Sequence, residues 1–195
     1  MHMDREQLLL DIFRMQVYNI FSKTGGGEQL NYYMEYATPV GILLLTCAEE
    51  ALTGLWMNRH PSGLEILCQD HPVLRKSTAW LDGYFSNRVE SIPVSLSPAG
   101  TAFQQRVWKR LLDIPYGQVI TYGDIAREIE RETGKRMSSQ AVGGAVGSNP
   151  ISIMIPCHRV VGAGGKLTGY AGGIEKKEWL LRHEGWEGVK KHDHK

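Results

Sequence analysis

The sequence predicts an α+β protein in which a small sheet comes first and helices follow. Three observations predict this. Residues 31–58 hold apolar, β-favouring runs separated by turn residues. Ile92-Pro93 to Pro98-Ala99-Gly100 is a polar break bearing Pro and Ser. Beyond it, apolar residues recur at helical spacing behind capping residues. The break divides the chain into a helical extension at 1–28, an α/β domain at 29–98 and a second domain at 99–195.

Residues 4–22 read as an amphipathic helix, with Leu9, Phe13 and Ile20 near one face and Gly25-Gly26-Gly27 ending it. Asp4, Glu6 and Asp11 stand where a secretory leader needs basic residues. Tyr32–Tyr36 and Ile42–Cys47 read as strands around a turn at Thr38-Pro39-Val40-Gly41, and Ala51–Met57 adds a third. Residues 73–86 form a helix on Leu74, Trp80, Leu81 and Tyr84/Phe85. Thr101 caps a helix turning Phe103, Val107, Leu111 and Leu112 inward. After the Pro115-Tyr116-Gly117 turn, a second helix starts at Ile120, and a third runs from Ser138 to about Gly147.

Composition excludes several classes. With 195 residues, 42% hydrophobic and 22% charged, the chain can bury a core and is neither collagenous nor low-complexity. No run of 18 apolar residues predicts a membrane span. Cys47, Cys68 and Cys157 offer no disulfide framework and no CxxC pair, which fits free thiols in the cytoplasm. Charge is uneven. Residues 1–100 carry 7 basic and 11 acidic groups, a net of −4; residues 101–195 carry 15 and 10, a net of +5. A basic half suits a polyanion, although scattered solvated charges explain it as well.

Two local features ask for chemistry. The third helix holds Gly143, Gly144 and Gly147, each costing about 0.8–1 kcal/mol against alanine. Close approach to a surface such as DNA would require them; so would a loop or tight internal packing. Further on, an apolar run delivers Pro156-Cys157-His158-Arg159. A thiol beside an imidazole can become a nucleophile. Neighbours on a strand point to opposite faces, however, so the pair alone is also compatible with a structural role.

The string Pro156-Cys157-His158-Arg159-Val160 resembles the active-site motif of the O6-alkylguanine-DNA alkyltransferases. Tyr116-Gly117-Gln118-Val119-Ile120-Thr121-Tyr122 is similar to the segment entering that family's helix-turn-helix. Ala141-Val142-Gly143-Gly144-Ala145 is similar to its recognition helix, and Asn149-Pro150 to the turn before the cysteine. Thr168–Gly173 and Lys177–Gly185 resemble its binding loop and final helix. The likeness is strong over 101–186, loose over 31–98 and absent from the first 28 residues.

The resemblance implies a short antiparallel sheet, then a helical domain with a winged-helix-like helix-turn-helix. It implies a suicide transferase that moves the alkyl group of O6-alkylguanine, and of O4-alkylthymine, in double-stranded DNA onto Cys157, as a monomer and with no cofactor; the Cys and His residues of the first half do not fall at the spacing of the zinc site of some relatives, so no metal is expected. His158 would deprotonate Cys157 through a water, and Glu184 would hold the imidazole and favour its protonated form. Asn149 would brace the turn. Tyr122 would serve the departing guanine and crowd the target phosphate. The Val160 carbonyl would accept from the guanine amino group, Tyr170 and Ala171 would line the pocket, and the Cys157 and Ala171 N–H groups would polarise O6. Arg159 is expected to be structural, pairing with a carboxylate or backbone. Gln140, Ala141, Gly143 and Gly144 would meet the minor groove while the base flips out.

One departure is plain. Gln140 stands where many members of the resembled family carry an arginine that fills the space of the flipped base, which predicts weaker plugging of the stack. Three other readings stay open: a non-catalytic lesion binder, which would lack the cysteine; a helix-turn-helix regulator; and a hydrolase using Cys157, His158 and Glu184.

Overall fold

The computed structural model describes residues 31–58, 65–88 and 90–188. The helix expected over 4–22 lies outside them. Strands β1 (Asn31–Thr38), β2 (Gly41–Ala48) and β3 (Ala51–Met57) form an antiparallel meander. Tyr36 pairs with Leu43, and the tight turn ends on Gly41 at φ +102°, a conformation glycine adopts without steric cost. Short strands β4 (Glu65–Leu67) and β5 (Ser95–Leu96) add in parallel at the two edges, giving the order β4-β1-β2-β3-β5. From Leu43 to Ala48 every residue of β2 is buried, as an unbroken apolar strand requires when both faces are covered. Helix α1 (Pro72–Phe85) packs on β1–β3, with Pro72 in its first turn and the His71 side chain accepting from Val73 N.

The second half is built on caps. Thr101 and Gln104 form a capping box for α2 (Ala102–Leu112), and Thr121 and Asp124 do so for α3 (Tyr122–Thr133). Gly134, in the left-handed conformation, ends α3; Ser138 caps α4 (Ser139–Gly147). The order α3, short turn, α4 is that of a helix-turn-helix. Trp108 of α2, 2% exposed, donates its indole N–H to the Ala145 carbonyl at 2.8 Å and so satisfies a late carbonyl of α4. The chain closes with α5 (Ile174–His183).

Two expectations are corrected. The second helix begins at Tyr122, because Ile120–Thr121 is β6 and pairs in parallel with β7 (Val160–Val161). Leu112 is 46% exposed: the last turn of α2 carries it past the core, which ends at Leu111. Among the described residues no helix is long and apolar enough to cross a membrane.

The sheet reaches the candidate site through β3. Leu55 N donates to Pro150 O at 2.8 Å, and Ser152 N donates to Leu55 O at 2.8 Å. The segment leading to Cys157 is thereby stitched to a buried strand.

Candidate active site and nucleic-acid interface

Asn149 shapes the approach to Cys157. Its amide nitrogen donates to Ile155 O at 2.8 Å and to Ile151 O at 3.3 Å, and its oxygen accepts from Ile151 N at 3.0 Å. These bonds tie off a turn in which Ile153 sits at φ +69°, an uncommon conformation for a β-branched residue. Cys157 and His158 then lie on a single 3₁₀ turn, Cys157–Arg159, and not on a strand. The opposite-faces objection therefore does not apply to this pair.

His158 and Glu184 are both buried, with Nε2 and Oε1 2.8 Å apart. Arg159 donates to the same carboxylate through Nε at 2.8 Å and Nη2 at 2.9 Å, and its Nη1 donates to Ile114 O at 2.6 Å. Arg159 thus pairs with a carboxylate and with backbone at once. Tyr84 OH and Gly117 N complete the set around Glu184 at 2.7 and 3.1 Å. Gly117 has φ +72°, and a Cβ there would lie 2.7 Å from the Glu184 backbone oxygen. Glycine is what lets this N–H reach the carboxylate.

The electrostatics follow from this packing. Burial alone would raise the Glu184 pKa, but hydrogen bonds from His158 and Arg159 outweigh it and hold the carboxyl well below its usual range. His158 goes the other way. Burial lowers its pKa and exceeds the upward pull of Glu184, so the resting imidazole is neutral near pH 7. Its Nδ1 has no protein hydrogen-bond partner among the described residues. Cys157, 6% exposed, is pushed up chiefly by burial, with the Asn149 amide and Lys177 opposing. The resting nucleophile is a thiol with a neutral base beside it in sequence.

An open cleft of about 960 Å³ runs between α3, α4 and the 162–170 segment, lined by Tyr122, Gln140, Gly143, Thr168 and Tyr170 among others. The Tyr122 hydroxyl donates to Thr168 O at 3.1 Å. Burial raises its pKa, the hydrogen bond to Thr168 opposes this, and Cys157 adds to the rise. Tyr170 is half-buried beside the Met57 sulfur, 3.9 Å from its hydroxyl. Gly172 permits that contact, since a Cβ there would lie 2.7 Å from the sulfur. Ala171 is exposed in the same loop, and the loop is held to β3 by Asn58, which donates to Gly172 O and accepts from Lys176 Nζ.

A Cβ on Gly144 or Gly147 would meet nothing within 4 Å, and one on Gly143 would make ordinary contact with the Tyr122 ring at 3.8 Å. The segment is a helix and not a loop, and packing inside the protein does not demand glycine. Ala141 and Gly144 lie on its exposed face, with Gln140 exposed in the first turn. Gly143 and Gly147 line the cleft.

Lys177 was not foreseen as a site residue. It is wholly buried, and its ammonium donates to Val160 O at 2.5 Å and Thr168 O at 2.9 Å, 5.8 Å from the Tyr122 ring centroid. Burial brings its pKa down to about 8, with Cys157 opposing. The Val160 carbonyl expected to read guanine is therefore already engaged, although a carbonyl has a second lone pair. The sequence held one signal: Lys177 precedes Leu180 and Leu181 by three and four residues, on the apolar stripe of α5. Among the described residues, no cluster of three or more His, Cys, Asp or Glu side chains could hold a metal ion.

Residues 102–186 match the DNA-binding domain of the 6-O-methylguanine DNA methyltransferases. The methylated-DNA–protein-cysteine methyltransferase of Methanosarcina acetivorans is 42% identical over 157 residues, spanning 79% of this chain and 98% of that relative. The chain belongs to the methylated-DNA–protein-cysteine methyltransferase family. The Haemophilus influenzae member is 42% identical over 157 residues, covering 78% of this chain and 86% of its own. Among solved members, the O6-methylguanine methyltransferase of Mycobacterium tuberculosis shares the α+β fold with a TM-score of 0.71 and 40% identity, over 80% of this chain and 93% of that one. The same organism's OGT in complex with DNA gives 0.71 and 42%, over 78% and 92%.

Proposed function

We infer that this methyltransferase repairs DNA by direct reversal, moving the alkyl group from O6-alkylguanine, and from O4-alkylthymine, to its own Cys157. The observation that carries the reading is the Cys157–His158 turn backed by a buried, ionised Glu184, in a fold that also holds a cleft lined by Tyr122 and Tyr170 beside a glycine-faced helix.

His158 takes the Cys157 proton, through a water at the unpartnered Nδ1. Glu184 supports the imidazolium that forms, while Arg159, Tyr84 and Gly117 keep the carboxylate charged and aimed. The thiolate sulfur attacks the alkyl carbon. A sulfur–carbon bond forms as the carbon–O6 bond breaks, and the electron pair passes into the purine, which is neutral once N1 is protonated. Tyr122 donates toward that departing guanine. The Val160 carbonyl accepts from the exocyclic amino group on its remaining lone pair, and Tyr170 and Ala171 wall the base with the Cys157 and Ala171 N–H groups toward O6. No turnover follows, because the thioether is stable.

The base reaches this pocket by flipping out of the duplex. Ala141, Gly143 and Gly144 present almost no bulk to the minor groove, and Gln140 occupies the stack. Residues 99–195 bind DNA and accept the alkyl group, residues 29–98 scaffold the Cys157 segment through β3, and the protein works as a monomer in the cytoplasm.

Intact-protein mass spectrometry after mixing with a duplex carrying O6-methylguanine tests this. One added methyl group on Cys157, lost in Cys157→Ala, is the expected result. Lesion binding without mass gain would leave a non-catalytic sensor. Neither would return the site to a cysteine hydrolase.

A further inference from the structure

At the mouth of the cleft, Gln140 carries no charge, yet a cation lies close by. Arg127, on the second turn of α3, lines the same cleft with its side chain 68% exposed. One nitrogen, Nη2, pairs with Asp124 Oδ1. The other carboxylate oxygen of Asp124 is taken by Thr121, whose N–H and hydroxyl donate to it at 3.2 and 2.5 Å. The point a Cβ on Gly123 would occupy lies 3.4 Å from Arg127 Nη1 and 3.6 Å from Ser139 Oγ. With no side chain at Gly123, a guanidinium and a hydroxyl converge on one open niche beside Tyr122 and Gln140.

Resting on the DNA-repair reading above, we propose that Arg127 is a DNA-phosphate contact, gripping the backbone next to the flipped nucleotide and supplying the cation that Gln140 does not. A guanidinium and a hydroxyl are both donors, and a phosphate oxygen is the acceptor that suits them. Asp124 holds Arg127 in place without locking it. An exposed pair of this kind is weak, so a phosphate can share or displace it. The capping box leaves Asp124 fixed when that happens.

The test compares wild type, Arg127→Gln and Arg127→Lys. Binding to an undamaged duplex is followed by fluorescence anisotropy across a salt series. Labelling of Cys157 is timed with O6-methylguanine in duplex and as the free base. The expected result for Arg127→Gln is about tenfold weaker binding at low salt, with the salt slope smaller by about 0.9. Labelling by duplex slows, labelling by the free base does not, and Arg127→Lys restores the slope. An unchanged slope overturns the proposal, as does equal slowing on duplex and free base, which marks damage to α3. Wild type unlabelled by either substrate overturns the alkyl-transfer reading, while the salt slopes still decide Arg127.

Discussion

His158 Nε2 lies 2.8 Å from Glu184 Oε1, and neither side chain reaches solvent. The same carboxylate neutralises Arg159, whose side chain is 12% exposed. Removing its charge therefore does two things. Glu184→Gln leaves Arg159 buried without a counter-charge, at a cost of about 3–5 kcal/mol. It also withdraws support for the imidazolium, slowing alkylation by about 10²–10⁴. Urea melts and single-turnover labelling measure the two effects separately. The pH dependence has a defined sign. A carboxyl depressed in the folded state gives stability that is complete above the ordinary glutamate value of about 4.3 and is lost as pH falls through its lower folded value. Glu184→Gln flattens that acid limb.

The alkylation rate reports His158 directly. Only the neutral imidazole can take a proton, and burial lowers its pKa below the ordinary value. The rate holds as pH falls through about 6.5 and declines only at lower pH. In Glu184→Gln the upward pull of the carboxylate is gone, so the acid limb moves lower still while the plateau drops. A limb that moves upward would contradict this balance of burial and charge.

Much of this site was legible in the sequence, and what was not has a physical reason. The Cys157 motif and the α4 glycines are local strings, and capping by Thr101, Thr121 and Ser138 is a local rule. Tyr84 and Gly117 could not be read, since they meet Glu184 only after α1 and the 113–119 turn fold onto the end of α5. Strands β4 and β5 were missed because three and two residues carry no periodicity. They form as additions to edges that already exist.

Lys177 bridges the backbone carbonyls of Val160 and Thr168. Lys177→Met keeps the stem and removes the donor. The buried Val160 carbonyl loses its donor, costing about 1–3 kcal/mol, while Thr168 O keeps the Tyr122 hydroxyl, and duplex labelling slows as the 160–168 segment loosens. There is also an alkaline signature. The wild-type lysine titrates near 8 when folded and near 10.4 when unfolded. The unfolded chain binds more protons between those values, so stability rises with pH there. Thermal melts from pH 7.5 to 10 show this rise in wild type and lose it in the variant.

Gly144→Ala separates fold from function. Nothing lies within 4 Å of the added methyl, so the free protein gains up to about 0.8–1 kcal/mol of helix stability. In the proposed complex the same methyl would stand between α4 and the floor of the minor groove, so duplex affinity falls. A higher melting temperature with a weaker Kd is the expected pair of results. Lost stability would mean that the glycine serves internal packing after all.

Gln140→Arg asks whether the cleft lacks a cation or has moved it. Gln140 is exposed in the first turn of α4 and lines the cleft with Arg127. If plugging of the stack limits flipping, the arginine speeds duplex labelling and leaves free-base labelling alone. It adds one positive charge, so the salt slope steepens by about 0.9 if that charge meets a phosphate. It stays level if the side chain enters the stack, where no counterion is displaced. Arg127→Gln combined with Gln140→Arg then distinguishes the positions. Recovery of the lost slope by the double variant means that one phosphate is reachable from both residues. Recovery of the labelling rate without the slope means that Gln140 faces the base stack and Arg127 the backbone, which the niche beside Gly123 predicts.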